Sequence, residues 1–350
     1  MARVFVGIPT YNRPHLVCET IESLRAQRFE DWQALVSDNV SAPAAANEVE
    51  AFVASLGDDR IRFHRQMANE GEYGQGRLFL ERSRGHDYLV ILHDDDLIAP
   101  DYLACAVEAL DGAPDVDVFA TNFRMIGLDG RRLETETADR RRLLGRQGAA
   151  AGRYDIRDTH VMTGFTPISG TVFRRRVFEA SGFADPDKVG NYPFECDLFL
   201  RLGDVRAQGW FDPGERLALR EHAESLKSAL AMQDNPLVVE PMLAMFSRRR
   251  FQGRVERRRR VLVAHFARAD GLIRLRRGDV AGARRQLRRA LAENPLSPKA
   301  WLLAAAVVVA PDRLRRRLPP LQVLRDVTQR PVAPAATAIS NGPDAESSRA

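Results

Sequence analysis

Tyr88, Leu89, Val90, Ile91 and Leu92 form an apolar run of strand length that stops at His93 and three adjacent carboxylates, Asp94, Asp95 and Asp96. A run without alternation must be buried on both faces, as in a parallel sheet covered by helices. Carboxylates crowded at the end of such a strand repel one another, and they lose hydration when a cleft encloses them. A divalent cation relieves both penalties, and hard oxygen ligands suit Mg²⁺ or Mn²⁺. The plainer alternative is a solvated acidic turn, with Asp96 or Asp101 capping a helix over residues 102–110.

The preceding residues place this strand in a larger plan. Residues 3–8 read as a strand, followed by the loop Pro9, Thr10, Tyr11, Asn12, Arg13 and Pro14. An amphipathic helix over 15–27 puts Leu16, Thr20, Ile21 and Leu24 on one face. A second strand (32–36) ends at Ser37, Asp38 and Asn39. A helix (46–56), a strand (60–64), a glycine-rich link (69–76) and a third helix to residue 84 lead into the central strand. This β-α-β-α-β-α-β order predicts an α/β fold with a doubly wound, mostly parallel sheet. Ligands of such sheets bind outside the carboxyl ends of the strands. The 9–13 loop, Asp38 and Asp94 to Asp96 all fall there. Taken alone, Asp38 reads equally as an Asx turn or helix cap.

Other nucleotide-binding plans are excluded. Gly71, Gly74 and Gly76 have the spacing G-x-x-G-x-G and do not follow the first strand, and there is no GK[ST]. Neither a Rossmann dinucleotide site nor a P-loop is supported; by themselves these glycines read as a flexible loop. Cys18, Cys105 and Cys196 form no CxxC pair, which argues against a zinc site or disulfide framework and fits a reducing compartment. The N-terminus reads directly into a strand, without a secretory leader. No apolar run reaches the roughly 20 residues that span a bilayer. Charge is unevenly placed: residues 246–330 hold 23 Lys/Arg and 6 Asp/Glu, so the rest of the chain is acidic although the net charge is +5.

Further on, residues 116–126 read as a strand. Leu128, Asp129 and Gly130 form a turn into 131–134, and the Arg/Gly/Ala-rich stretch 140–153 reads as a mobile loop. Then come Ser169, Gly170 and Thr171, a helix ending at Ser181, Gly182 and Phe183, and Glu195, Asp197, Leu198 and Arg201. Leu219, Arg220, Glu221, His222 and Ser225 close this part. In this order, with Val6 to Arg13, Ser37 to Asn39, Asn69 to Gly71 and Leu92 to Asp96, the residues resemble a family 2 glycosyltransferase of the GT-A fold over roughly residues 1–230.

The resemblance implies transfer of a sugar from a nucleotide-diphosphate sugar to an acceptor hydroxyl, with inversion and with Mg²⁺ or Mn²⁺. Pro9, Thr10, Tyr11 and Asp38 are implied to line the nucleoside pocket, and Arg13, Asn69 and Gly71 to adjoin the donor. Asp94 is implied at the ribose or metal shell, Asp95 and Asp96 at the metal, and His222 near the diphosphate as a metal or phosphate contact. His93 stands where a leading aspartate is usual, which argues against it as a ligand because the last carboxylate carries that role. Ser169, Gly170 and Thr171 are implied at the acceptor. The family usually has Glu-Asp at the catalytic base; here Phe194-Glu195 puts a glutamate there, and Asp197 is the rival. Two residues apart on a helix do not share a face. Asp197 begins the amphipathic run 198–202, where N-capping is natural. Glu195 lies just before that run and is the preferred base.

Residues 231–330 read as a basic helical extension, with 265–305 resembling one tetratricopeptide hairpin that must pack on another surface. Residues 331–350 read as a disordered tail. Arginines at 248–250, 257–260 and 313–317 flank apolar helices. Peripheral contact with an anionic membrane surface is one reading, and a solvated arginine-rich face is the other. No nucleic-acid module is present. The expected setting is cytoplasmic, or peripheral at the inner membrane face, with a glycan or lipid-linked acceptor in polysaccharide or glycoconjugate synthesis.

Overall fold

The computed structural model describes residues 2–183, 193–221 and 235–319. Its first half follows the predicted alternation: β1 (Val4–Thr10), α1 (Pro14–Arg25), β2 (Trp32–Asp38), α2 (Pro43–Ser55), β3 (Ile61–Arg65), α3 (Gly71–Arg82) and β4 (Tyr88–Ile91). Both α1 and α2 open on proline, whose missing N–H costs nothing in a first helical turn. β1 pairs in parallel with β2 and β4, and β2 with β3. Then follow β5 (Leu97–Ile98), α4 (Tyr102–Asp111), β6 (Val118–Ile126), α5 (Glu134–Leu143), β7 (Gly152–Asp155), α6 (Ile156–Thr163), β8 (Thr171–Arg174), α7 (Val177–Ser181), α8 (Phe194–Asp204) and β9 (Gln208–Arg220). The sheet runs β3-β2-β1-β4-β8-β6-β9-β5, with β7 beside β9. β8 enters antiparallel to both β4 and β6, whereas β6 and β9 are parallel.

Alternation along β1 divides the core. Val4, Val6 and Ile8 point into one layer with α1, α2 and α4. Phe5 points into the other, with residues of α3, α6 and α8. Gly71, Gly74 and Gly76, expected in a flexible link, lie instead within α3. The reason is packing: a Cβ on Gly76 would stand 2.6 Å from the Phe183 ring, and one on Gly7 2.2 Å from the Phe79 ring. α3 approaches β1 and the residues after α7 this closely because those side chains are missing.

Residues 140–153 are likewise not a loose loop. α5 extends to Leu143, and Arg146, 1% exposed, drives its guanidinium among Phe123, Phe165 and Phe211. It donates to the carbonyls of Phe165 and Thr121, both at 2.6 Å. Aromatic faces and carbonyl dipoles thus take the place of a carboxylate partner; burial nevertheless pulls its pKa down to about 10.

The C-terminal helices are α9 (Pro236–Ser247), α10 (Gly253–Arg276), α11 (Val280–Glu293), α12 (Pro298–Val309) and α13 (Pro311–Arg317). Gly271 of α10 would bring a Cβ to 3.2 Å from Leu287 of α11, so these two helices approach closely there. Val263, Ala264 and Ala267 of α10 share a core with Val161, Leu198 and Phe199. The extension is therefore seated on the α/β body. The tail from residue 331 lies outside the described residues.

Candidate active site

The carboxyl ends of β1, β2 and β4 bring the 9–13 loop, Asp38 and the three aspartates together. Thr10 lies opposite Asp38 in the sheet register, and the aspartates follow β4 directly. Asn12 takes a left-handed conformation (φ 54°), which asparagine tolerates. Its backbone N–H donates to the Ser41 hydroxyl (2.8 Å), and its side-chain oxygen accepts from the Ala42 N–H (2.7 Å). So fixed, the turn sends Arg13 to the aspartates: one guanidinium nitrogen lies 3.2 Å from Asp94 and 3.1 Å from Asp95. The Tyr11 N–H also donates to Asp94. Asp94 is buried, and desolvation pushes its carboxyl up to about 6; the Arg13 charge opposes that shift and Asp95 adds to it.

Asp96 has another task. One of its oxygens accepts from the Arg220 N–H (3.0 Å) and the other from the Ser169 hydroxyl. Ser169 in turn accepts from the His93 N–H (3.1 Å). Asp96, expected as a metal ligand, also clamps the loop to β9 through these bonds. Ser169, Gly170 and Thr171, expected at the acceptor, form the buried segment that supports this loop. Ser169 and Thr171 are each 2% exposed. The capping alternative is not realised either: Asp101 makes no side-chain cap bond to α4 and pairs instead with Arg216 at 3.0 Å.

Arg220 was not singled out by the sequence reading. Its guanidinium donates to the Asp95 carbonyl (3.0 Å), to the carbonyls of Gly127 and Leu128, and to Glu19 (2.5 Å). The available signal was an arginine ending the apolar run Leu217, Ala218, Leu219.

His93, set aside by the sequence reading, stands at the centre of the site. Its Nε2 is 3.3 Å from Glu72, and single ligand atoms of Glu72, His93 and Glu195 all lie within 4.8 Å of one another. The same holds for His93, Asp95 and Asp96. The chain thus brings Glu195 and the β4 carboxylates together around one imidazole. α8 begins at Phe194, so Asp197 is not an N-cap and Glu195 already lies in the first turn. At ~100° per residue the two carboxylates diverge by about 200°. Asp197 is fully buried against Arg201 (2.6 Å), Arg248 (2.8 Å) and Arg249 (3.7 Å), joining α8 to the segment that follows α9.

On the other side of the loop, one Asp38 oxygen accepts from the Ser41 N–H, three residues on, at 3.1 Å. The second Asp38 oxygen is buried and has no hydrogen-bond partner among the described residues. Asn69 accepts from the Asn39 amide (2.9 Å) and the Gly71 N–H (3.0 Å). Together with the positive φ of Gly71 (66°), this shapes the start of α3. His222 and Ser225 lie outside the described residues. The donor set fits a hard divalent cation: Asp95 offers a carboxylate, and the Arg13 guanidinium already occupies a cation's place between Asp94 and Asp95.

The glycosyl transferase family 2 model matches residues 5–181. A GalNAc(5)-diNAcBac-PP-undecaprenol beta-1,3-glucosyltransferase of Campylobacter jejuni is 32% identical over 97 residues, 27% of this chain and 30% of that protein. An uncharacterized protein of Sinorhizobium fredii is 32% identical over 132 residues, 37% of this chain and 14% of that one. The chain thus spans under a third of the length of these curated relatives. Among solved structures, S. aureus TarS 1–349 in complex with UDP-GlcNAc superposes with a TM-score of 0.62 at 15% identity, covering 89% of each chain. A mannosyltransferase of Pyrobaculum calidifontis, in complex with GDP-Man and Mn2+, gives 0.52 at 18% identity over 90% of this chain and 82% of its own. At such identities the structures establish the GT-A fold, and the family match over half the sequence establishes the lineage: the chain belongs to glycosyl transferase family 2.

Proposed function

We propose that the chain transfers a sugar, with inversion, from a nucleotide-diphosphate sugar to the hydroxyl of a glycan or lipid-linked acceptor. The observation that carries this reading is the convergence of Asp94, Asp95 and Arg13 near the carboxyl end of β2, where a buried Asp38 oxygen has no hydrogen-bond partner among the described residues. The free Asp38 oxygen can accept an N–H or hydroxyl from the nucleoside, and leaving it unmet is costly. Pro9, Thr10 and Tyr11 form the wall beside it, and Asp94 faces the ribose. Asp95 would hold Mg²⁺ or Mn²⁺, with His93 within reach; imidazole favours Mn²⁺ over Mg²⁺. When bound, the cation supplies Lewis-acid stabilisation of the charge that grows on the departing diphosphate. Arg13, which now bridges Asp94 and Asp95, would meet a phosphate oxygen when a cation is held at Asp95.

Glu195 is the base that takes the acceptor proton. It opens on the side of His93 and Glu72, whereas Asp197 is enclosed by arginines and cannot reach a substrate. The lipid-linked acceptor is suggested by the undecaprenol-linked substrate in the name of the Campylobacter relative. The test separates binding from turnover. Glu195→Gln should keep donor affinity within about threefold and lower transfer by at least a hundredfold, read as release of nucleoside diphosphate. Wild-type turnover in that variant would remove Glu195 from the mechanism.

A further inference from the structure

Among the described residues, five of the eleven exposed large hydrophobic side chains fall between residues 296 and 309. Four are on α12: Trp301 (57% exposed), Leu302 (73%), Val308 (62%) and Val309 (81%). At ~100° per residue, these and exposed Ala305 lie within about 120° of arc, while Ala300 and Val307 point the other way into the core. A contiguous apolar stripe of this kind on a protein surface marks something that covers it.

The stripe is rigid. Ser297 caps the start of α12 by accepting from the Ala300 N–H (3.3 Å), and Arg284 donates to the Val307 and Val308 carbonyls at its end. The Trp301 ring N–H is already bonded to the Pro295 carbonyl (2.9 Å), so the exposed ring carries no unmet donor. On α12 and on α13, which follows it after one residue, Lys299, Arg313, Arg316 and Arg317 are all exposed and make no ion pair among the described residues. From 296 to 319 the one acidic residue is Asp312.

We propose that α12 and α13 form a docking face for an anionic lipid bilayer, with Trp301, Leu302, Val308 and Val309 entering the interface and Arg313, Arg316 and Arg317 meeting headgroup phosphates. Only a surface that is both apolar and negatively charged satisfies the two features together. A second copy of this chain fits poorly, because a two-fold contact across the stripe sets its arginines against their own copies. At 12 residues α12 is too short to span a bilayer, and no described helix is long and apolar enough to cross one. The inference rests on this face alone and stands or falls separately from the donor site.

The experiment is flotation of the full chain with vesicles of phosphatidylcholine, and of phosphatidylcholine containing about a third phosphatidylglycerol. Association with the anionic vesicles alone is expected, weakening at high salt. Leu302→Ser with Val309→Ser should lower the apparent affinity at least tenfold while leaving the circular dichroism spectrum and the thermal midpoint unchanged. Arg316→Glu with Arg317→Glu should abolish the preference for anionic lipid. Absence of flotation would overturn the proposal, as would unchanged flotation of the serine variant. A dimer in light scattering that the serine variant dissociates would assign the face to a second copy. Binding that needs an acidic protein instead of lipid would overturn it too.

Discussion

Replacing Asp197 with asparagine separates the two candidate carboxylates by physics rather than by loss of activity. The side chain is fully buried, with one oxygen 2.6 Å from Arg201 and the other 2.8 Å from Arg248 and 3.7 Å from Arg249. Removing the anion leaves three guanidinium groups facing a neutral amide, and breaking such a buried pair typically costs about 3–5 kcal/mol. Two features reduce the figure here. Arg249 keeps Asp204 at 2.8 Å, and Arg248 remains partly open to water. Asparagine also retains one acceptor oxygen. The expected loss is therefore about 3 kcal/mol, measured as the shift in a urea unfolding curve, with Glu195→Gln measured alongside and expected within about 0.5 kcal/mol of wild type. Because Arg248 and Arg249 follow α9, the loosening should also expose the C-terminal helices to faster amide exchange. An Asp197→Asn protein that is as stable as wild type but inactive would refute this reasoning and make Asp197 the base.

Gly76→Ala places a methyl 2.6 Å from the Phe183 ring, so α3 or that ring must move; a loss of about 1–3 kcal/mol in the unfolding free energy is expected. His160 stacks on Phe199 with its Nδ1 buried and without a hydrogen-bond partner among the described residues, and burial lowers its pKa to about 4. Between pH 6.5 and 4 the unfolded chain takes up a proton that the folded one refuses. This contribution is present above pH 6.5 and is lost as pH falls through that window. The full shift corresponds to about 3 kcal/mol, and the partial exposure of the ring reduces the expected loss to about 2 kcal/mol. In His160→Phe, unfolding curves at pH 6.5 and 4.5 should show a correspondingly smaller difference, and an unchanged difference would assign the acid loss to other groups.

The parts legible in the sequence are those that local patterning determines. Unbroken burial of Tyr88 to Leu92, strand–helix alternation and the polar stops at Thr10, Asp38 and Asp94 together give the parallel half of the sheet and the place of the site. What escaped depends on partners distant in the chain. Asp95 and Asp96 are adjacent and chemically identical, yet Asp96 is taken up by Ser169 and Arg220, which follow 73 and 124 residues later. Gly76 reads as part of a loop because glycine's usual cost in a helix hides its value against Phe183. Arg146 reads as surface because nothing local announces three aromatic rings and two carbonyls waiting for it. Asp197 looks like a helix cap until Arg248 and Arg249 arrive from the C-terminal helices.

The most direct measurement is thermal stabilisation by a panel of nucleoside diphosphates and nucleotide sugars, with Mn²⁺, with Mg²⁺ and with EDTA, in the wild type and in Asp95→Ala. A ligand that binds only the folded chain must raise the midpoint, by an amount that grows with its concentration over Kd. The expected result is a rise for one nucleotide and its sugar conjugate, seen with the metals, abolished by EDTA and absent in Asp95→Ala. No rise for any of them, or a rise indifferent to metal and to Asp95, would contradict a metal-dependent donor site at the ends of β1, β2 and β4.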